Sequence, residues 1–326
     1  MCPLLLAFGL ATRLVVAPEP AEATVPGDPP ATSAESRLSR FLGSMAATTD
    51  RETAELTNGK HYLASNERDL HLLQADARDR GGVLVAVGAD PGYVLAAWAD
   101  ARAIVFVDLD PMIPELHRIY AAFFAEAATI DDFRALWTPQ GATEATRLIA
   151  TIAADEEDAN VLADLYASAQ PAINRHFADL SKRMAAAGVS WLLSDDALYQ
   201  RIRALIRNGK VIALRGDFTR GGVVRLLGER LREHGQEVGL LYLSNIEQYF
   251  LYGQDFRDNV GALPFAAGGL ALRTLPGRPA GFEYIVQDGA HFQELLADPK
   301  VRSVYRIRGF RRGDHLAGRT RFRIDP

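Results

Sequence analysis

The sequence predicts an α/β protein with a doubly wound, mostly parallel sheet and a large helical insertion after the second strand. Three observations carry that expectation. Short continuous apolar runs at residues 83–87, 103–107, 211–214 and 238–243 have the length and β-branched content of strands buried on both faces. Stretches of helical periodicity separate them, the rhythm of a parallel sheet with crossover helices. Each run ends in glycine or a polar residue, and in such sheets the carboxyl ends of the strands form the ligand rim.

The elements follow in order. Residues 36–80 read as helical, with apolar positions at helical spacing over 37–45 and again over 67–80, where Gly81-Gly82 stops the second helix. The first strand, 83–87, ends at Gly88. Asp90 followed by Pro91 is a strong helix start, so 91–101 is expected to be a helix. The second strand, 103–107, ends at Asp108. Residues 112–205 carry helical patterns and no strand run, with Asp131, Asp132, Thr143 and Ser194 as caps. A parallel crossover needs only about a dozen residues, so the excess is read as an insertion. The rhythm then resumes with a strand at 211–214, a helix from a Thr219 cap to His234 and Gly235, and a strand at 238–243. Residues 270–275 and 301–307 are expected to be weaker closing strands.

Composition bounds the function classes. The 326 residues suffice for one large α/β domain with an insertion, here placed at 36–326. A net charge of −5 leaves no electrostatic footprint for nucleic acid. The arginines at 302, 306, 308, 311 and 312 read as a solvated edge or tail. Cys2 is the single cysteine, which excludes a disulfide framework and a thiolate zinc site, and no other cluster has metal-ligand spacing. Residues 3–17 are apolar and Ala21-Glu22-Ala23 resembles a leader cleavage site. No Lys or Arg precedes that run, Arg13 interrupts it, and it is too short to span a bilayer. An exported and a cytoplasmic location therefore both stay open. The segment 1–35 is taken as this leader plus a linker rich in Pro, Ala and Ser, and no integral membrane domain is expected.

Four loops could carry chemistry. In Gly88-Ala89-Asp90-Pro91-Gly92 the glycine lets a ligand approach the backbone, and the following helix start suits an anion. Asp108 lies 20 residues beyond Gly88 at the end of the second strand, where an acid can accept from both ribose hydroxyls; Asp110 reads better as a helix cap. In the third loop Asp217 could accept from an adenine amine and Phe218 could stack on the base, although a turn closed on Asp217 itself fits equally well. In the fourth, Ser244-Asn245 with Tyr249 could hold a substrate, or simply cap a helix. His117 and Arg118 could face the site or solvent, and His61, Tyr62, Ser65 and Asn66 could close over a ligand.

The order of these loops resembles class I methyltransferases. More closely, the chain resembles an uncharacterised bacterial family of methyltransferase-like proteins. The matching stretches are residues 62–67, 83–88 and 105–110 with 117–120, then 214–218 and 243–249 (Leu-Ser-Asn-Ile-Glu-Gln-Tyr). The resemblance implies a Rossmann-like fold but no particular reaction, and the loop order it shares with class I methyltransferases implies S-adenosylmethionine as cofactor. Gly88, Asp90, Asp108, Asp217, Phe218 and Ser244 would line the cofactor site, and Asn245 and Tyr249 would position a small-molecule substrate. Two departures stand out. Asp90 occupies the place of the second loop glycine, where it would repel a methionine carboxylate, and the 244–247 segment lacks the prolines of the amine-methylating pattern. A non-catalytic binding protein on the same fold and a nicotinamide-dependent oxidoreductase are the alternatives.

Overall fold

A computed structural model describes residues 34–56, 59–277, 281–308 and 321–324. The leader and linker expectation up to residue 33, Cys2, Arg311 and Arg312 lie outside the described residues, while Ala34 and Glu35, expected in the linker, already belong to the first helix. After α1 (Ala34–Met45) and a short α2 (Gln74–Ala77) the chain builds β1 (Val83–Ala86), α3 (Pro91–Ala99) and β2 (Ala103–Asp108). Five helices follow: α4 (Met112–Glu126), α5 (Ile130–Leu136), α6 (Ala142–Ile152), α7 (Glu156–Ala187) and α8 (Asp196–Arg207). Then come β3 (Val211–Arg215), α9 (Val223–Glu233), β4 (Val238–Tyr242), α10 (Gln254–Ala262), β5 (Phe265–Pro276), β6 (Phe282–Asp288), α11 (Gly289–Ala297), α12 (Val304–Arg308) and β7 (Arg321–Ile324).

The strands form one seven-stranded sheet in the order β3-β2-β1-β4-β5-β6-β7. The first five run parallel in the 3-2-1-4-5 order of doubly wound proteins. A direct hairpin makes β6 antiparallel to β5, with Pro276 opposite Phe282, and β7 runs parallel to β6. Alternation along each strand feeds two cores. Leu84, Ala86, Ile104 and Phe106 face α3, α4 and the helices up to α8. Val83, Val85, Val105 and Val107 face α1, α9, α10 and α11. The order in which strands are added reverses between β1 and β4, the topological switch at which ligands bind in open sheets.

Close packing of α3 on this switch needs Gly92. A Cβ there would sit 2.3 Å from the Phe106 ring and 3.2 Å from the Ala86 Cβ, so only glycine lets the helix lie this near β1 and β2.

Three sequence expectations fail locally. Residues 67–80 are not one helix. The chain stays extended to Asp69, whose N–H donates to the Tyr284 hydroxyl at 2.8 Å, and only a 3₁₀ turn (Leu70–Leu73) and α2 follow. Residues 301–307 hold the start of α12 rather than a strand. Val301, Val304 and Ile307 are buried at helical spacing of three, which won over the short apolar alternation. The strand in that region is β6, whose inward Glu283 and Gln287 disguise it. The caps differ as well. Thr129 and Asp195 cap α5 and α8, not Asp131, Asp132 or Ser194, and α6 starts after Gly141 with no side-chain cap from Thr143. Thr219 does not start α9, because its N–H and hydroxyl both donate to Asp217. The distant Asp50 caps α9 instead, accepting from the Val223 N–H at 3.0 Å.

Candidate functional site

The carboxyl ends of β1, β2, β3 and β4 open into a cavity of about 300 Å³, within the size range of small-ligand pockets. Gly88, Asp108, Asp217, Phe218, Ser244, Asn245 and Tyr249 all line it. Tyr62, Ser65 and Asn66 from the segment before β1 form another wall.

The glycine loop is fixed from below. Gly88 has φ +84°, a conformation that glycine adopts without strain. Its N–H donates to Asp108 Oδ2 at 3.0 Å, so the side chain that ends β2 continues the hydrogen bonding of β1. Its carbonyl accepts from His117 Nε2 at 3.0 Å, while His117 Nδ1 accepts from the Tyr93 hydroxyl at 2.9 Å. His117 is fully buried and stacked on Phe106 at 3.6 Å. Burial lowers it to about 3, so the ring is neutral, which fits a donor at Nε2 and an acceptor at Nδ1. His117 thus supports the loop from beneath. Arg118 points elsewhere, to Asp158 and Glu115 at 2.7 Å.

Asp108 also accepts from the Asp110 N–H at 2.9 Å. Burial raises its carboxyl to about 7, with the Asp110 charge adding to the shift and the backbone N–H groups of Asp110, Gly88 and Leu109 only partly offsetting it. Asp110 accepts from the Met112 N–H, as a helix-starting acid should, and lies 2.9 Å from His61 Nδ1.

Asp90 corrects the sequence reading. It does not line the cavity and makes no side-chain cap to α3. Its carboxylate turns inward, accepting from the Ser65 N–H at 3.3 Å and meeting His176 Nε2 of α7 at 2.7 Å, both side chains buried. Burial disfavours the imidazolium, but the facing Asp90 outweighs it and holds His176 above its ordinary pKa. The Asp90 carboxylate is therefore paired with His176 and is not aimed into the cavity, where a ligand carboxylate would lie.

Asp217 lines the cavity, yet its oxygens are engaged. Oδ1 accepts from the Thr219 N–H and hydroxyl at 2.8 and 2.7 Å, and Oδ2 accepts from the Ala54 N–H at 2.7 Å. The turn reading describes it better than an adenine contact. Phe218 is buried in the core beneath α9 and presents only part of itself to the cavity. Asn245 makes no cap to the short turn that follows it, and its side chain reaches the Tyr249 hydroxyl.

Sequence reasoning missed Glu67. It lines the cavity and is 1% exposed. Oε1 accepts from the hydroxyls of Ser244, at 2.9 Å, and Thr274, while Oε2 has no partner. Burial raises the carboxyl to about 7, with Asp90 adding to the shift and the two hydroxyls and His176 opposing it. Ser244, its partner, sits at φ +49°, an unusual conformation for a non-glycine residue at the end of a strand. His176 was missed too, because a lone histidine among charged neighbours on a long helix reads as solvated. The wall carries five carboxylates (Glu55, Glu67, Asp108, Asp110, Asp217) against one ammonium, Lys60. Tyr62 and Tyr249 stand half-exposed at the mouth.

Among the described residues no group of side chains could hold a metal ion, and no helix is long and apolar enough to cross a membrane. No curated protein matches the chain in sequence. The profile of a family described as a domain of unknown function (DUF7790) matches residues 62–318, a span that takes in β1 to β6 and every side chain lining the cavity from Tyr62 onward. On that match the chain belongs to the DUF7790 family.

Proposed function

We propose that the cavity binds S-adenosylmethionine and that the protein is a methyltransferase acting on a small molecule. The observation that carries this reading is the acid at the end of β2. Asp108 lines the cavity hydrogen-bonded to Gly88, in a wall where carboxylates outnumber ammonium groups five to one. The pyrophosphate of a nicotinamide dinucleotide needs donors and positive charge, and this wall supplies little of either. A cationic, hydroxyl-rich ligand suits it.

The residues present fit that ligand. Each carboxylate oxygen can accept more than one hydrogen bond, so Asp108 can take ribose hydroxyls beyond the backbone donors it already holds. Leu109 and Phe218 would supply apolar surface for the base. In this reading the helices from α4 to α8 are an insertion on a methyltransferase-like sheet. When bound, the cofactor supplies a methyl group already activated by a positive sulfur. The chain's own task is then to hold and orient two ligands and to exclude water. Asn245 offers a donor and an acceptor to the second ligand, and Tyr62 and Tyr249 offer their ring faces at the mouth.

Calorimetric titration of the folded chain at pH 8 tests this. S-adenosylhomocysteine should give a saturable heat, and NADH should give none. Saturable binding of NADH alone would overturn the reading.

A further inference from the structure

We infer that the floor of the cavity holds a protonated-amine subsite formed by Glu67 and Tyr242. This rests on the reading of the cavity as a ligand site, not on the identity of the nucleoside. Among the described residues, two cavity-lining side chains carry a buried polar atom without a partner, Glu67 Oε2 and the Tyr242 hydroxyl. Leaving such atoms unpaired is costly, and at a site it points to a ligand group that satisfies them.

Their placement makes them one feature. Glu67 is gripped by Ser244 and Thr274, at the carboxyl ends of β4 and β5. Tyr242, at the end of β4, shares a core cluster with Leu272, and Thr274 follows Leu272 by two residues within β5, so Thr274 and Tyr242 leave the same face of the sheet. Tyr242 and Leu272, which precede Ser244 and Thr274 by two residues, are register partners and belong to one core cluster.

Charge selects the ligand. An ammonium has three donors and no acceptor, which matches two unpartnered oxygens, one carboxylate and one phenol, in the lining of one cavity. A carboxylate or phosphate would meet the acidic wall. The groups facing Glu67 are Asp90 on the glycine loop, His176 on α7 and Tyr284 on β6. Asp90 pushes the Glu67 carboxyl up more than His176 pulls it down, so the pair supplies no net counter-ion for Glu67. An incoming ammonium would. The amine has two sources: the α-ammonium of an S-adenosyl ligand, or the amino group of the acceptor.

The test measures binding by wild type, Glu67→Gln and Tyr242→Phe, from pH 6 to 8. The probes are S-adenosylhomocysteine, 5′-methylthioadenosine (the same nucleoside without the amino-acid end) and tyramine. A charge-assisted bond of this kind changes affinity by roughly ten- to a hundred-fold. If Glu67→Gln weakens S-adenosylhomocysteine by that factor and leaves 5′-methylthioadenosine unchanged, the subsite holds the cofactor's amine. If it weakens tyramine instead, the subsite holds the acceptor's. Either way, wild-type affinity for that amine should rise as the pH passes through 7, and the variant should not follow. Tyr242→Phe keeps the charge and the core packing and should lose a smaller factor. If nucleosides bind and neither variant distinguishes any amine from its amine-free counterpart, the inference falls and the cofactor reading stands. If tyramine alone binds, through Glu67, the cofactor reading falls and the inference stands. If no probe binds to folded protein, both fall.

Discussion

Replacing Asp108 with alanine should raise the dissociation constant for S-adenosylhomocysteine by roughly 10²- to 10⁴-fold, the largest loss of affinity expected from a single substitution in this chain. Two ribose hydroxyls donating to one carboxylate each contribute about 1.5–3 kcal/mol. Alanine removes both bonds and also releases the Gly88 and Asp110 N–H groups that the carboxylate holds. Gly88 would then lose its tie to β2 and keep its carbonyl bond to His117. Calorimetry with Asp108→Ala, beside circular dichroism to confirm an unchanged fold, measures the effect. An unchanged dissociation constant would remove Asp108 from the site.

His176→Ala should cost on the order of 3–5 kcal/mol of stability near pH 6, because it leaves the Asp90 carboxylate buried without its counter-charge. For a domain of this size that is a fall of roughly 10 °C in melting temperature. The sign with pH follows from the direction of the histidine shift. The folded pKa lies above the ordinary 6.5, so the pair's contribution is complete below 6.5 and fades as the pH rises through the folded value. Thermal unfolding of wild type and variant between pH 6 and 9 should therefore show a gap that narrows toward high pH. Adding Asp90→Ala should restore part of the loss, since no unpaired charge remains. A gap that widens with pH would show that His176 acts through packing alone.

This pair also explains why the sequence misled at one position. Asp90 next to Pro91 has the form of a helix cap and stands in the glycine loop, so both local readings placed it at the ligand. Its true partner is 86 residues away on a helix whose own pattern gives no sign of an inward histidine. Other parts were legible because their cause is local. The buried strands β1 to β4 show as unbroken apolar runs, and Gly88 and Asp108 show by their positions at strand ends. Gly92 was visible as a glycine, but its purpose, contact with Phe106, requires the packed sheet. Glu67 was hidden because an acid ahead of Leu70 looks like the first turn of a helix. What burial does to it depends on Ser244 and Thr274, far along the chain. The antiparallel end of the sheet was obscured for a similar reason, as β6 carries polar residues inward.

In the function proposed above, the Gly88–Asp108 corner of this cavity holds the nucleoside of an S-adenosyl ligand. The most direct measurement is a crystal structure of the chain grown with S-adenosylhomocysteine. Both ribose hydroxyls should lie within hydrogen-bond distance of the Asp108 carboxylate, about 2.6–3.0 Å, with the sulfur directed toward Ser244 and Asn245. A nucleoside bound elsewhere on the protein, or this cavity empty at saturating ligand, would contradict it.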